Sequence, residues 1–350
     1  LTALGAAITL DGDCATVRGF DPRTAAPTEP LPCRESGSTL RFLVPLALMS
    51  GRETTLVGSE TLLHRPLGVY ATLCAENGWR FEQNDACVRV CGPLFATECR
   101  VPGNISSQFI SGLLFALPLL EGDSVIRITS PVESRSYIDL TLSALAAFGV
   151  TANWLDERTI QVPGNQQYVA ADTAVEGDYS GAAFFAALSA IGGEVEIDGL
   201  NPDSLQGDRI YQKHFESMPK GTPVIHIADC PDLGPILFAV AAAKNGGVFT
   251  GTKRLKIKES DRAAAMAAEL KKFGVAVTVH EDSVVVYPHT FHAPTETLCG
   301  HNDHRIVMSL AVLCTLTGGD IDGAEAVRKS FPDFFEKLAN LGIEVNILAV

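Results

Sequence analysis

The chain has 350 residues, of which 46% are hydrophobic, so it is long enough to form two domains with a sizeable core each. Its 27 basic and 41 acidic side chains give a net charge of −14, which disfavours binding to nucleic acid or to an anionic membrane surface. No stretch resembles a signal peptide or a membrane span, and the nine cysteines form no CxxC pair, so a cytoplasmic protein with reduced thiols and no metal site is predicted.

Five segments of the chain share one layout. Each opens with small or polar residues, continues as an apolar helix, breaks at glycine and ends in an alternating strand. In chain order the segments are SGSTLRFLVPLALMSGRETTLVG (36–58), SSQFISGLLFALPLLEGDSVIRITS (106–130), YSGAAFFAALSAIGGEVEIDG (179–199), PDLGPILFAVAAAKNGGVFTG (231–251) and NDHRIVMSLAVLCTLTGGDIDG (302–323). Self-similarity of this kind predicts a fold built from repeated units.

A second, more amphipathic helix and another strand lie between these segments. They are predicted in RPLGVYATLCAENGWRFEQ, YIDLTLSALAAFGVTANW, SDRAAAMAAELKKFGVAVTV and FPDFFEKLANLGIEVNIL. The stretch GDRIYQKHFESM (207–218) fills the same position without the hairpin that should follow it. The chain opens with LTALGAAITLDG, which aligns with the tail of such a second helix, and this register predicts about 60 further residues upstream.

The repeats predict the architecture. Five visible units and a partial one make six, and a break at VEGDYSG (175–181) divides them three and three. We predict an α/β fold with two similar domains, residues 1–174 and 175–350, each made of three βαβαββ units, of which the first unit is incomplete. The apolar helices should lie inside and the sheets outside, so that the polar helix starts converge on a cleft that attracts anions.

The stretch RLKIKESDR (254–262) concentrates charge where a helix begins. One interpretation is a solvated surface on which Ser260 or Asp261 caps the helix. The other is an anion site, because Lys258 and Arg262 would otherwise crowd the positive end of the helix dipole.

Other helix starts carry similar groups. The polar starts are Ser36, Gly37, Ser38 and Thr39, then Ser106, Ser107 and Gln108, then Asp303, His304 and Arg305, and the recurring cations are Arg65, Arg135, Arg262, Arg305 and Lys329. Each alone could be a cap or a surface ion pair, but together they favour a small substrate with several negative charges. Asp232 in CPDLGP and Glu259 lie among the cations, where a carboxylate can exchange protons with a substrate, although capping or charge balance is the alternative.

The blocks ESGSTLR, ISSQF, SYIDLTL, VEGDYS, LQGD, CPDLGP, KIKESDR, HNDHR and KSFPDFF cover nearly the whole chain in order. In these blocks the chain resembles the 5-enolpyruvylshikimate-3-phosphate synthase family. The resemblance implies a two-domain inverse α/β barrel and transfer of the enolpyruvyl group of phosphoenolpyruvate to the 5-hydroxyl of shikimate 3-phosphate, a shikimate-pathway step towards aromatic amino acids. It implies no cofactor and no metal, with glyphosate as an inhibitor, and a monomer is expected.

The resemblance also implies residue roles. Shikimate 3-phosphate would be held by Ser106, Ser107, Gln108, Ser134, Asp232 and Lys258. Phosphoenolpyruvate would be held by Gly37, Arg65, Gln108, Arg262, Arg305 and Lys329. Asp232 would be the base that takes the hydroxyl proton and Glu259 the acid that protonates C3, with Asp303 and His304 in support.

The sequence departs from the family pattern in places. The family's early Lys-Ser-x-x-x-Arg motif would fall in the predicted upstream segment, and Glu35 and Arg254 stand where many members carry a different polar residue. The UDP-N-acetylglucosamine enolpyruvyl transferases are the alternative within the fold, but they would use a reactive loop cysteine and lack the combination of SSQF and KESDR. The other alternative is a catalytically silent fragment that folds or binds ligand without turnover.

Overall fold

The structure is a computed structural model that describes residues 1–12 and 14–348. Its α-helices are α1 (Gly37–Met49), α2 (Glu60–Leu63), α3 (Gly68–Asn77), α4 (Gln108–Ala116), α5 (Arg135–Ala147), α6 (Tyr179–Ile191), α7 (Tyr211–Ser217), α8 (Gly234–Ala243), α9 (Arg262–Lys272), α10 (His304–Thr317) and α11 (Phe334–Asn340). Across the described residues, no helix combines the length and the apolar character that crossing a membrane requires.

The strands are short and alternate with the helices. They are β1 (Ala7–Asp11), β2 (Cys14–Arg18), β3 (Leu31–Arg34), β4 (Thr54–Gly58), β5 (Arg80–Gln83), β6 (Val88–Cys91), β7 (Glu98–Val101), β8 (Ser124–Ile128), β9 (Asn153–Asp156), β10 (Thr159–Val162), β11 (Val224–His226), β12 (Gly247–Thr250), β13 (Val277–Val279), β14 (Ser283–Val286), β15 (Leu298–Cys299) and β16 (Ile321–Asp322). Short 3₁₀ turns such as Pro231–Leu233 and Lys253–Ile257 lead into the helices that carry the site.

Three sheets repeat one topology. Their strand orders are β3-β4-β6-β5, β7-β8-β10-β9 and β11-β12-β14-β13. In each sheet the first two strands pair in parallel and the other pairs are antiparallel. A parallel pair needs a crossover, which the apolar helix between the two strands supplies, whereas the last two strands form a hairpin. Each sheet therefore corresponds to one βαβαββ unit of the predicted kind.

The chain divides into two compact units, Leu1–Ala174 (unit 1) and Val175–Val350 (unit 2). Each unit has a hydrophobic core of its own, centred on the apolar helices. In unit 2, α8 is buried on all sides from Gly234 to Ala242, which explains why its sequence has no polar face. The helices α6, α8 and α10 pack against one another there. In unit 1, α1 packs on α4, and the hydroxyl of Tyr70 donates to the carbonyl oxygen of Arg41 over 2.7 Å.

Two predicted strands are not formed. The alternating residues 194–199 after α6 and residues 343–348 after α11 contain no strand in the described part of the chain. Alternation makes a strand only where a partner offers backbone groups. After α6, the Val195 amide donates to the Ser189 hydroxyl over 2.9 Å instead of to a neighbouring strand.

The first residues form a helical turn followed by a hairpin. Thr2–Leu4 form a 3₁₀ turn where the tail of a second helix is expected, and β1 and β2 then pair as an antiparallel hairpin. The segment thus has the helix-end and hairpin order of the other units.

Candidate active site

A buried arginine organises a cluster of charged side chains in unit 2. The Arg262 side chain is 1% exposed, and its three nitrogens each meet a different carboxylate. Nε lies 2.8 Å from Asp303 Oδ2, Nη1 lies 2.7 Å from Asp232 Oδ1, and Nη2 lies 2.6 Å from Glu259 Oε2. A guanidinium suits this position because it keeps its charge when buried and offers donors in a fixed fork.

Three helix starts bring these residues together. Asp303 is the N-cap of α10 and accepts from the Arg305 amide over 3.0 Å. Asp232 lies in the 3₁₀ turn that leads into α8, and Glu259 lies just before α9. Asp261 caps α9 by accepting from the Ala264 amide over 3.1 Å, as one interpretation of this stretch predicts. The KESDR stretch therefore combines a cap with buried ion pairs.

Asp232 is surrounded by cations. Lys258 Nζ lies 3.0 Å from Oδ1 and Arg305 Nη2 lies 3.6 Å from Oδ2, in addition to Arg262. Burial alone would raise the pKa of Asp232, but the charges of Lys258, Arg305 and Arg262 hold this pKa well below its ordinary value. Burial lowers the pKa of Lys258, against the opposing effect of Asp232. Asp232 is therefore a carboxylate at neutral pH.

Asp303 and His304 lie next to this cluster. The Asp303 side chain is fully buried, which favours the neutral acid, but the charge of Arg262 prevails and lowers the pKa of Asp303 to about 2. Burial, assisted by the nearby Arg305 charge, lowers the pKa of His304 to about 4. His304 is therefore neutral at pH 7, with Nδ1 3.9 Å from Asp303 Oδ1.

The other two predicted cations of unit 2 have different surroundings. Arg305 Nη1 donates to the Ser180 hydroxyl over 2.6 Å and to the Asp232 carbonyl oxygen over 3.2 Å. Lys329 is exposed, and its ammonium donates to the carbonyl oxygen and to Oδ1 of Asn302 over 2.7 and 2.8 Å. The structure thus gathers Lys258, Arg262 and Arg305 on Asp232 and holds Lys329 through Asn302.

Unit 1 contains a second cluster at the start of α1. A Cβ at Gly37 would lie 2.7 Å from Arg41 Nη1, 3.0 Å from Arg65 Nη1 and 3.7 Å from Gln108 Oε1. Arg41 Nη1 donates to Gln108 Oε1 over 2.8 Å. The structure therefore brings together three of the predicted residues, Gly37, Arg65 and Gln108. Glycine leaves the space beside the two guanidinium groups open.

Arg41 is a candidate that the sequence reasoning missed. Its side chain is buried, and its guanidinium carbon lies 5.0 Å from the centre of the Phe109 ring. The signal was present in the block ESGSTLR, because residues four apart share a helix face and Arg41 therefore follows Gly37 along α1.

The predicted serines lie at the starts of α4 and α5. Ser106 Oγ accepts from the Gln108 amide over 3.3 Å, and Ser107 is buried at the N-cap of α4. Ser134 is buried at the N-cap of α5 with a φ of 58°. Arg135, by contrast, lies 4.1 Å from the centre of the Trp154 ring and 3.8 Å from Asp139, and both contacts are compatible with the surface ion pair that one interpretation predicts.

The fold and the two clusters define a class of α/β proteins that gather charged side chains at helix starts. The solved structure of EPSP synthase from Acinetobacter baumannii superposes with a TM-score of 0.77 over 99% of this chain and 87% of that one, at 24% identity. This shared fold confirms the predicted fold class.

Sequence comparison identifies the family. The profile of EPSP synthase (3-phosphoshikimate 1-carboxyvinyltransferase) matches residues 1–338. The 3-phosphoshikimate 1-carboxyvinyltransferase of Clostridium kluyveri is 40% identical over 90% of this chain and 78% of its own length. The enzyme of the same name from Brachyspira hyodysenteriae is 38% identical over 89% of this chain and 79% of its own length. The chain belongs to the EPSP synthase family, as the resemblance in the sequence predicts.

Proposed function

We propose that this protein transfers the enolpyruvyl group of phosphoenolpyruvate to the 5-hydroxyl of shikimate 3-phosphate and releases inorganic phosphate. The observation that carries the proposal is the set of cations around Asp232, namely Lys258, Arg262 and Arg305, with Glu259 on the same guanidinium. Membership of the family supports the same reaction. No metal and no cofactor enters the proposal.

The proposed substrate contacts follow the two clusters. The residues proposed for shikimate 3-phosphate are Ser106, Ser107, Gln108, Ser134, Asp232 and Lys258, and those for phosphoenolpyruvate are Gly37, Arg65, Gln108, Arg262, Arg305 and Lys329. Helix starts favour phosphate because their backbone amides are unpaired and positive. The open space at Gly37 between Arg41 and Arg65 supports an anion contact there.

In the proposed first step, the 5-hydroxyl oxygen bonds to C2 of phosphoenolpyruvate while Asp232 takes the hydroxyl proton. Protonated Glu259 gives a proton to C3, and a tetrahedral intermediate results. In the second step C3 returns a proton to Glu259, the C2–O bond to phosphate breaks and the enol ether forms. The proton held by Asp232 leaves with the inorganic phosphate, so that both carboxyl groups return to their starting states. Substrate anions that draw Lys258 and Arg262 away would raise the pKa of Asp232 and make it a stronger base.

Phosphate release in the presence of both substrates tests the reaction. We expect Glu259→Gln to lower turnover about 100-fold while substrate binding stays nearly unchanged, because a positioned acid acts in the transition state. Glu281→Gln is the control, since Glu281 is exposed and pairs only loosely with Lys253 at 3.6 Å. A change confined to substrate affinity would contradict the role of Glu259.

The same assay separates the alternatives. Ligand binding without phosphate release would favour the catalytically silent fragment, and turnover restored by an upstream extension would support the predicted Lys-Ser-x-x-x-Arg segment. Inhibition by glyphosate that is competitive with phosphoenolpyruvate would support a shared site beside Gly37. The monomeric state, the cytoplasmic location and the predicted upstream segment of about 60 residues stay predictions.

A further inference from the structure

Glu269 is a buried carboxylate that the proposed chemistry does not use. It lies on α9, and its side chain is 2% exposed. Its Oε1 lies 2.9 Å from His301 Nε2, and its Oε2 accepts from the Cys299 amide over 2.9 Å and lies 3.0 Å from Lys272 Nζ. Two of these three partners belong to residues 299–303, which run from the last residue of β15 to the N-cap of α10 and which we call the 299–303 loop.

The backbone of this loop needs to be held. His301 and Asn302 have φ values of 50° and 52°, a left-handed conformation that residues with a side chain seldom adopt. Such a conformation persists only where the surroundings determine it. Glu269 helps to fix the loop conformation through its contacts with the His301 ring and the Cys299 amide. The Gly300 amide, which donates to the Asp322 carbonyl oxygen over 2.8 Å, also helps to fix it.

The loop in turn holds two side chains proposed to bind phosphoenolpyruvate. Asn302 accepts twice from the Lys329 ammonium, and Asp303, the next residue, binds Arg262. A displacement of the loop would therefore move the partners of both cations. We infer that Glu269 is a positioning residue, which acts through His301 and Asn302 to place Lys329 for phosphoenolpyruvate; this inference rests on the proposed function.

The first test needs no substrate. The acetylation rate of Lys329 is measured by mass spectrometry in the unaltered protein and in Glu269→Ala, Glu269→Gln and His301→Ala. We expect about fivefold faster acetylation in the two alanine variants, as for the loss of one hydrogen bond, and partial recovery in Glu269→Gln, which keeps an acceptor for the Cys299 amide. Lys337, held 3.1 Å from Asp333 on α11, is the control and should not change.

His301→Ala protects the test against misfolding, because it removes only a side chain that is about one-third exposed. Unchanged acetylation of Lys329 in folded His301→Ala would overturn the inference. The kinetic test follows: the KM for phosphoenolpyruvate should rise about fivefold, while the KM for shikimate 3-phosphate stays within about twofold. Equal rises in both KM values would show a merely structural role. If neither the unaltered protein nor any variant turns over substrate, the proposed function is wrong. The acetylation rates still decide the role of Glu269 in that case.

Discussion

The burial of Arg262 depends on carboxylates from distant parts of the chain, since Asp232 and Asp303 both accept hydrogen bonds from its guanidinium group. The charge run KESDR predicts a helix start with a cap or an anion site, and Asp261 is such a cap. The run does not reveal that Arg262 is buried, because Asp232 and Asp303 lie 30 and 41 residues away along the chain. Their approach depends on how α8, α9 and α10 pack, which local spacing does not encode.

Asp303 should contribute to stability in a way that depends on pH. Its pKa is about 2 in the folded protein against 3.8 ordinarily, so its contribution is present above pH 3.8 and is lost as the pH falls towards 2. The shift corresponds to about 2 kcal/mol. We expect Asp303→Asn to lower the free energy of unfolding by about 2–4 kcal/mol at pH 7, since the variant also leaves Arg262 short of a counter-charge. Urea unfolding at pH 7, 4 and 3 measures this.

The comparison with Asp333→Asn provides the control. Asp333 pairs with Lys337 at 3.1 Å, but both side chains are about half exposed, so its loss should cost less than about 1 kcal/mol. The free energies of unfolding of the unaltered protein and of Asp303→Asn should approach each other as the pH falls from 4 towards 2. A difference that stays constant down to the lowest pH at which both proteins fold would contradict the electrostatic origin.

At the scale of elements, apolar helices were easier to predict than strands. The helices α1, α4, α6, α8 and α10 all lie within the predicted apolar runs, because a helix forms its backbone hydrogen bonds within itself. A strand depends on a neighbour, and the stretches after α6 and α11 alternate in sequence without forming one. The short pair β15 and β16 is an intermediate case, with only two residues in each strand.

The contact between α1 and α4 should depend on Gly112. A Cβ there would lie 2.5 Å from the Arg41 carbonyl oxygen and 2.6 Å from the Tyr70 hydroxyl, and a backbone atom cannot yield as a side chain does. We expect Gly112→Ala to lower the free energy of unfolding by about 3 kcal/mol through overpacking. It should also disturb Arg41, whose carbonyl oxygen is the atom approached. Urea unfolding measures the first effect.

Gly68→Ala is the matched control. Gly68 is the first residue of α3, and a Cβ there would have no atom within 4 Å. Alanine should stabilise that position by up to about 1 kcal/mol, because it restricts the unfolded chain. Equal effects of the two substitutions would mean that the close approach at Gly112 does not limit the packing of α1 on α4.

At the scale of the whole molecule, the repeat was the most informative feature of the sequence. It predicts the βαβαββ order that recurs in three sheets, because each unit repeats the same apolar periodicity. It does not predict how far each unit departs from the pattern, as in the trimmed segment around α7. Such departures depend on which backbone partners remain available after the neighbouring units have folded.

The segment that joins the two units should be the first site of proteolysis. Residues 163–178 contain neither helix nor strand, residues 169–175 are exposed, and Val175 is 96% exposed. On either side the chain is anchored, since Gln166 bonds to the Thr151 backbone and Glu176 to Ser204 and Gln206. We expect elastase, which cuts after small apolar residues, to cleave first within VAADTAV (169–175) and to yield two fragments of about half the chain each.

Both fragments should resist further digestion and unfold cooperatively, because each unit has its own buried core. Mass spectrometry over a time course identifies the first cuts, and circular dichroism of the separated fragments follows their unfolding. A variant with Asp in place of Ala170, Ala171, Ala174 and Val175 is the control and should be cut more slowly without loss of stability, since all four residues are exposed. Rapid degradation of either fragment would show that its core is not stable alone, and would contradict the prediction that residues 1–174 and 175–350 are independent domains.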